Sequence, residues 1–310
     1  MKVYRSLESF QKRPYAVVTS GTFDGVHRGH QKILSRLQEI SAKQQGETVV
    51  LTFWPHPRMI VSNDSQNLQL LSTIEEKIAL LGQLGIDHLI ILPFTRAFSE
   101  LSSEEFIQQI LVDRIGTKKL VIGYDHRFGR NREGSFDFLQ KVAPSYGFDV
   151  EEIPSQDIDA LAVSSTRIRK ALSQGEVATA TELLGRPYAF SGTVVKGQQL
   201  GRTLGYPTAN IEVRENYKLI PANGVYAVRV RQANHLLNGM LNIGVRPTID
   251  GSSRTIEVHL FEFNQDIYGE HLEIQLMHYL RPEMKFAGIQ ALVQQLHRDK
   301  EAALDQLAPE

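Results

Sequence analysis

From Tyr15 to about Ile153, short apolar runs alternate with stretches in which apolar positions recur every three or four residues. The runs Tyr15-Ala16-Val17-Val18-Thr19, Thr48-Val49-Val50-Leu51-Thr52-Phe53, His88-Leu89-Ile90-Ile91-Leu92 and Lys119-Leu120-Val121-Ile122 show no polar alternation. That is the pattern of strands buried on both faces of a parallel sheet. Thr73 with Glu76, and Ser102 with Glu105, have capping-box spacing. Each opens a helical pattern, with Ile78, Leu81 and Leu84 after the first and Phe106, Ile107, Ile110 and Leu111 after the second. The βαβαβα order predicts a doubly wound, Rossmann-like α/β domain whose ligand sits beyond the carboxyl ends of the strands.

After Leu183-Leu184-Gly185-Arg186-Pro187 the texture changes. Segments near 189–196, 224–232, 236–243, 255–263 and 271–280 are β-rich and separated by Gly, Pro and Asn turns, which predicts an antiparallel barrel. Ile289, Leu292, Val293, Leu296, Ala303, Leu304 and Leu307 fall at helical spacing, so a terminal helix is expected to close one face of that barrel. The predicted domains are therefore 1–184 and 185–310. The stretch around Ser155 to Asp159 gives no readable assignment.

A length of 310 residues fits two domains, and 42% apolar with 22% charged residues fits a soluble globular chain. The net charge of −1 supplies no field for a phosphate polymer, so no nucleic-acid partner is expected. With no cysteine, the chain has no disulfide, thiolate metal site or cysteine nucleophile. The charged start Met1-Lys2-Val3-Tyr4-Arg5 does not read as a signal peptide, and no apolar run approaches the roughly 20 residues of a membrane span. A cytoplasmic protein with no membrane partner is the expectation; homo-oligomerisation is left open.

The first run ends in Ser20-Gly21-Thr22-Phe23-Asp24-Gly25-Val26-His27-Arg28-Gly29-His30. Gly21 and Gly25 let the backbone approach a ligand, and the turn delivers His27 and His30 to the start of an expected helix over 29–42. Three residues apart, the imidazoles share a face and can donate to phosphate oxygens where the helix N-terminus favours negative charge. Ser164-Ser165-Thr166-Arg167-Ile168-Arg169 opens another helix with two cations in its first turn. There they oppose the helix dipole at a cost of about 0.3–1 kcal/mol each unless an anion binds. The segment 123–134, Gly123-Tyr124-Asp125-His126-Arg127-Phe128-Gly129-Arg130-Asn131-Arg132-Glu133-Gly134, follows a buried strand and places three arginines at the carboxyl edge of the sheet. Neither a P-loop nor a G-x-G-x-x-G motif is present, which leaves a histidine-based nucleotide site.

In the second half, the segment 192–210 contains Gly192, Lys196, Gly197, Gly201, Arg202 and Gly205 and ends in Pro207-Thr208-Ala209-Asn210. A glycine-rich loop with two cations can lie over phosphates, although a hairpin explains the glycines almost as well. The Thr208 hydroxyl and Asn210 amide carbonyl are hard oxygen donors suited to Mg²⁺; an Asx or Ser/Thr turn is the plainer alternative. In Arg254-Thr255-Ile256-Glu257-Val258-His259-Leu260-Phe261 the period is two, so Glu257 and His259 share one strand face. At a barrel mouth, such an acid could take a proton from a substrate hydroxyl.

The H-x-G-H tetrad, with Phe53-Trp54-Pro55-His56-Pro57, the 123–134 loop and Ser164 to Arg169, resembles the nucleotidyltransferase module of bacterial bifunctional riboflavin kinase/FAD synthetases. The loop ending in Pro-Thr-Ala-Asn, Asn242-Ile243-Gly244 with Arg246-Pro247-Thr248, Glu257, and Tyr279-Leu280-Arg281-Pro282-Glu283 resemble the kinase module of the same family, a six-stranded Greek-key barrel. The motifs occur in family order over almost the whole chain. One departure is His126, where the family often carries Phe.

By that resemblance, the C-terminal module would phosphorylate riboflavin to FMN with MgATP. Glu257 would accept the proton of the ribityl 5′-hydroxyl, Thr208 and Asn210 would hold Mg²⁺, the loop 192–205 would cover the phosphates, and Asn242 and Arg281 would contact flavin. The N-terminal module would join FMN to the adenylyl group of a second ATP, giving FAD and pyrophosphate. His27 and His30 would steady the charge, Ser165, Thr166, Arg167 and Arg169 would meet the β- and γ-phosphates, and Asp125 would lie near the adenylate. Gly21, Phe23 and Gly25 would form the pocket floor, and His56 and Arg58 would belong to the loop that admits flavin. Two other readings stay open: a flavin- and nucleotide-binding regulator without turnover, and nucleotidyl transfer to another phosphomonoester with the barrel serving only for binding. The combination of His27, His30 and Glu257 with the two Mg²⁺ donors favours an enzyme over the regulator.

Overall fold

The structure is a computed structural model that describes residues 1–62, 68–154, 163–197, 199–248 and 251–308, with backbone only at 200, 246–248 and 251–253. The Ser155 to Asp159 stretch lies outside the described residues. The chain divides into two compact units, Met1–Ser165 and Thr166–Glu310.

In the first unit, β1 (Lys2–Tyr4), β2 (Ala16–Ser20), β3 (Glu47–Trp54), β4 (His88–Pro93), β5 (Thr117–Gly123) and β6 (Asp149–Ile153) form one parallel sheet in the order β1-β4-β3-β2-β5-β6. Alternate residues of the same strands feed two cores. Val17, Val50, Leu89, Ile91 and Val121 face one, with Ile33, Leu34 and Leu37 of the helix Arg28–Gln44. Val18, Val49, Leu51, Ile90, Leu120 and Ile122 face the other, with Ile107, Ile110 and Leu111. Burial on both faces is why the four central strands read as unbroken apolar runs. Both capping boxes form with both of their bonds, at Thr73/Glu76 and at Ser102/Glu105. After Ser103–Glu105 the second helix continues in π geometry over Phe106–Ile115 and stops at Gly116, whose φ is +73°. The edge strands β1 and β6 carry no apolar run; Asp149–Ile153 buries only its last residue.

The helix Ser165–Ser173 starts at the last residue of the first unit; in the second unit it and the helix Val177–Leu184 precede the strands β7 (Ala189–Val195), β8 (Ala209–Glu212), β9 (Gly224–Gln232), β10 (His235–Thr248), β11 (Gly251–Leu260) and β12 (His271–Arg281). The Leu172 carbonyl accepts from the Ala222 amide, so the first helix is tied to the barrel side of the chain. The strands close into an antiparallel barrel in the order β10-β11-β8-β7-β12-β9. The terminal helix Ile289–Leu307 packs Ala303 and Leu307 on Ala227, Met240 and Phe261. It therefore lies on the outer face, and the opposite parity, with Tyr226, Leu241 and Val258 at 0% exposure, fills the barrel. Ile289 and Leu304, expected on the packed face, are exposed.

Gly192 in β7 is required by close packing. A Cβ there would come within 2.5 Å of the Ile211 methyl and 2.6 Å of the Glu212 carbonyl oxygen. Gly192→Ala is expected to destabilise the barrel by about 1–3 kcal/mol, read as a lowered urea midpoint in circular dichroism. Among the described residues, no helix is long and apolar enough to cross a membrane.

Candidate active sites

In the first unit the strand order reverses at β2, which has β3 on one side and β5 on the other. An open α/β sheet has its ligand crevice beyond the carboxyl ends at such a switch point. A cavity of about 570 Å³ lies there. Its wall includes Gly21, Phe23, His30, Arg58 and Asp125 of the expected site, and Arg127, Arg130 and Arg132 of the loop after β5. Arg96 adds a further cation, and Phe53, Phe94, Phe98, Phe106 and Phe128 give the cavity an aromatic side. Arg96, Phe94 and Phe98 were not anticipated from sequence, yet they follow the third apolar run, His88 to Leu92, directly, where the carboxyl-end rule points.

The turn between β2 and the helix Arg28–Gln44 is strained. Phe23 and Val26 have φ of +47° and +40°, and Gly25 has φ of +77°. Side chains other than glycine pay about 1–3 kcal/mol for such geometry and keep it only where the surroundings impose it. Several bonds impose it here. The Asp24 carboxylate, 2% exposed, accepts from the Leu71 amide at 2.9 and 3.1 Å and from the Ser72 amide at 3.2 Å. Ser72 Oγ accepts from the Gly25 amide at 3.1 Å, Gln31 Nε2 donates to the Val26 carbonyl at 2.8 Å, and Ser165 Oγ donates to the Asp24 carbonyl at 3.0 Å.

His27 caps the helix, and its Nδ1 accepts from the His30 amide at 3.4 Å. In the neutral ring, that leaves the proton on Nε2 as a donor. The His27 and His30 rings stack at 3.6 Å with 15° between planes, so the two imidazoles form one unit at the positive end of the helix. His56 is buried and caps the short helix Pro57–Val61 by accepting from the Arg58 amide at 3.1 Å, while Arg58 faces the cavity. His126 stacks on Phe128 with ring centroids 5.8 Å apart and meets Ser20 Oγ at 3.3 Å. Burial, reinforced by Arg127 and Arg132, pushes its pKa down to about 4, so it presents a neutral ring to the cavity. Thr166, Arg167 and Arg169 lie on the helix Ser165–Ser173, with Thr166 and Arg167 exposed.

In the second unit, strand register brings the expected residues into one lateral row. Glu257 of β11 stands opposite Asn210 of β8 and Asn242 of β10; Asn242 stands opposite Val225, which stands opposite Arg281. Directly opposed residues share a face, and this row has the parity of Met240 and His259, the face beside the terminal helix. Glu257 thus lies on the outer wall and not in the barrel mouth, because Ile256, Val258 and Leu260 take the interior positions. Thr208 Oγ1 donates to Glu257 Oε2 at 3.3 Å. The His259 Nδ1–H donates to the Pro207 carbonyl at 2.7 Å, and burial lowers its pKa, which favours that neutral tautomer.

Gly197 lies directly against the Asn210 amide and Gly201 against the Tyr206 carbonyl, so the glycine loop folds onto the Pro207 to Asn210 turn. Lys196 stands over the Tyr268 ring at 5.9 Å, and Arg202 lies on the short helix Leu200–Thr203. Gly205 has φ of +81° in open space. Arg281 is held in a two-pronged ion pair with Asp299 of the terminal helix, at 2.8 and 2.6 Å. That pairing fixes its guanidinium at the end of the row.

A doubly wound unit with an H-x-G-H turn at its switch point, in one chain with a barrel that sets an acid beside a glycine loop, defines a two-activity nucleotide-dependent transferase. The FAD synthetase family model matches residues 9–167, and the riboflavin kinase model matches residues 184–307. The bifunctional riboflavin kinase/FMN adenylyltransferase of Escherichia coli K12 is 39% identical over 97% of this chain and 96% of its own length. The protein of the same description from Listeria monocytogenes is 40% identical over 92% of this chain and 90% of its own. A solved structure described as a macrolide-efflux protein from Streptococcus pneumoniae has a TM-score of 0.87 at 31% identity, covering 97% of this chain and 98% of that one. The chain belongs to the bifunctional riboflavin kinase/FMN adenylyltransferase family.

Proposed function

We propose that the two activities of this family use two separate sites, adenylyl transfer at the H-x-G-H turn and phosphoryl transfer at the Asn210–Glu257–Asn242 row. The chain phosphorylates riboflavin to FMN and adenylylates FMN to FAD, with ATP as cosubstrate of both steps. What carries the division is that each set of chemical groups falls within the span of the matching family model, His27 and His30 in one and Thr208, Asn210 and Glu257 in the other.

For phosphoryl transfer, Glu257 accepts the proton of the ribityl 5′-hydroxyl as that oxygen bonds to the γ-phosphorus and the bond to the bridging oxygen breaks, releasing ADP. The Gly197 and Gly201 loop, with Lys196 and Arg202, lies over the ATP phosphates, and Gly192 and Gly205 shape its ends. Asn242 and Arg281, at the far end of the row, face the flavin. Thr208 and Asn210 suit Mg²⁺: one hydroxyl and one amide oxygen leave room for phosphate and water. Among the described residues there is no group of three His, Cys, Asp or Glu that would instead hold a transition metal. Bound there, Mg²⁺ would neutralise phosphate charge. Thr208→Ala and Asn210→Ala are each expected to raise the Mg²⁺ concentration for half-maximal FMN formation by about tenfold, without altering the conversion of supplied FMN to FAD.

For adenylyl transfer, a phosphate oxygen of FMN attacks the α-phosphorus and pyrophosphate leaves; no covalent enzyme intermediate is needed. The stacked His27 and His30 stabilise charge on the α-phosphate and on the leaving group. Gly21, Phe23 and Gly25 form the floor and Asp125 lies beside the adenylate. The motif assigns Ser165, Thr166, Arg167 and Arg169 to the β- and γ-phosphates. Arg58, with His56 fixing its helix, stands at the flavin end among the aromatic rings. The test is chromatography of flavins after incubation with riboflavin, ATP and Mg²⁺. FMN and FAD are both expected; FMN alone would remove the adenylyl assignment, and neither product would remove both.

A further inference from the structure

Lys77 lies on the helix Ile74–Gln83, buried to 4% exposure, and its ammonium donates to the Thr22 carbonyl at 2.6 Å. A buried ammonium is costly unless it performs a task or is neutralised. Thr22 opens the strained turn, and Asp24, two residues on, is the anion that acts on Lys77. Asp24 is itself fixed by the Leu71 and Ser72 amides. The remaining titratable groups on the packed elements point elsewhere: Glu75 is exposed, Glu76 closes the Thr73 capping box, and His27 and His30 stack on each other. The ammonium thus holds the first residue of the turn, in the field of the Asp24 carboxylate.

We propose that Lys77 is a positioning residue for adenylyl transfer, its ammonium anchoring the Thr22 carbonyl at the start of the turn so that His27 and His30 are presented to the α-phosphate. This rests on the reading that those histidines serve that step. The charge-assisted bond to Thr22 is what neutral packing cannot replace. Burial lowers the pKa of Lys77 to about 8, so this charge-assisted bond to Thr22 weakens as pH rises through that value.

Lys77→Met, of similar length, is expected to lower kcat for FAD formation by about 10²-fold, with KM for ATP and FMN changed less than about threefold and FMN formation unaffected. Trp54, the single tryptophan, lies in the same unit and reports its urea midpoint, which is expected to stay near the native value. In the native protein, FAD formation is expected to decline above about pH 8, a limb that Lys77→Met abolishes. Asp24→Asn provides a second measurement: without the carboxylate that favours the charged lysine, the limb moves to lower pH. Native kcat in Lys77→Met, or a limb that neither variant moves, overturns the proposal. A His27→Asn/His30→Ala protein that still made FAD would instead overturn the reading beneath it.

Discussion

With Glu257 replaced by glutamine, FMN formation from riboflavin is expected to fall by about 10²–10⁴-fold, while supplied FMN is converted to FAD at the native rate. Glutamine keeps the length of the side chain, its place in β11 between Asn210 and Asn242, and an oxygen for the Thr208 hydroxyl. What it loses is the ability to take a proton. The expected change is therefore in kcat, with KM for riboflavin and ATP nearly preserved. Coupled assays of the two steps on one preparation check this directly.

His27→Asn with His30→Ala is expected to remove FAD formation by at least about 10²-fold, while FMN accumulates from riboflavin. Asparagine at 27 retains a helix-capping acceptor in place of Nδ1, so the helix Arg28–Gln44 keeps its start. The imidazole stack is lost. Because the rings touch at 3.6 Å, each single change should cost nearly as much as the pair. Alanine at both positions would confound this with a lost cap, worth about 0.5–2 kcal/mol of stability.

Much of this was written in the hydrophobic pattern. The four central strands announced themselves because both faces are buried, and both capping boxes form where the Thr73/Glu76 and Ser102/Glu105 spacing put them. The edge strands did not, since Lys2–Tyr4 and Asp149–Ile153 pair on one side only and need no apolar run. The period-two pattern placed Glu257 and His259 on one face correctly. The barrel mouth was the wrong setting for Glu257, although the apolar neighbours Ile256, Val258 and Leu260 already marked the other face as interior. Lys77 was not among the residues the pattern singled out. Its spacing from Ile74 and Leu81, three before and four after, puts it on the buried stripe, a signal that was readable. The ion pair of Arg281 with Asp299 joins a strand end to the terminal helix, and no local pattern could reveal it.

The central claim is that the two reactions use separate sites, and mixing the two inactivated proteins tests it. Glu257→Gln protein alone, and His27→Asn/His30→Ala protein alone, should make no FAD from riboflavin, ATP and Mg²⁺. Combined, they should make it, because FMN released by the second protein is adenylylated by the first. A mixture that produces FMN but no FAD, while the Glu257→Gln protein also fails on supplied FMN, would contradict the account.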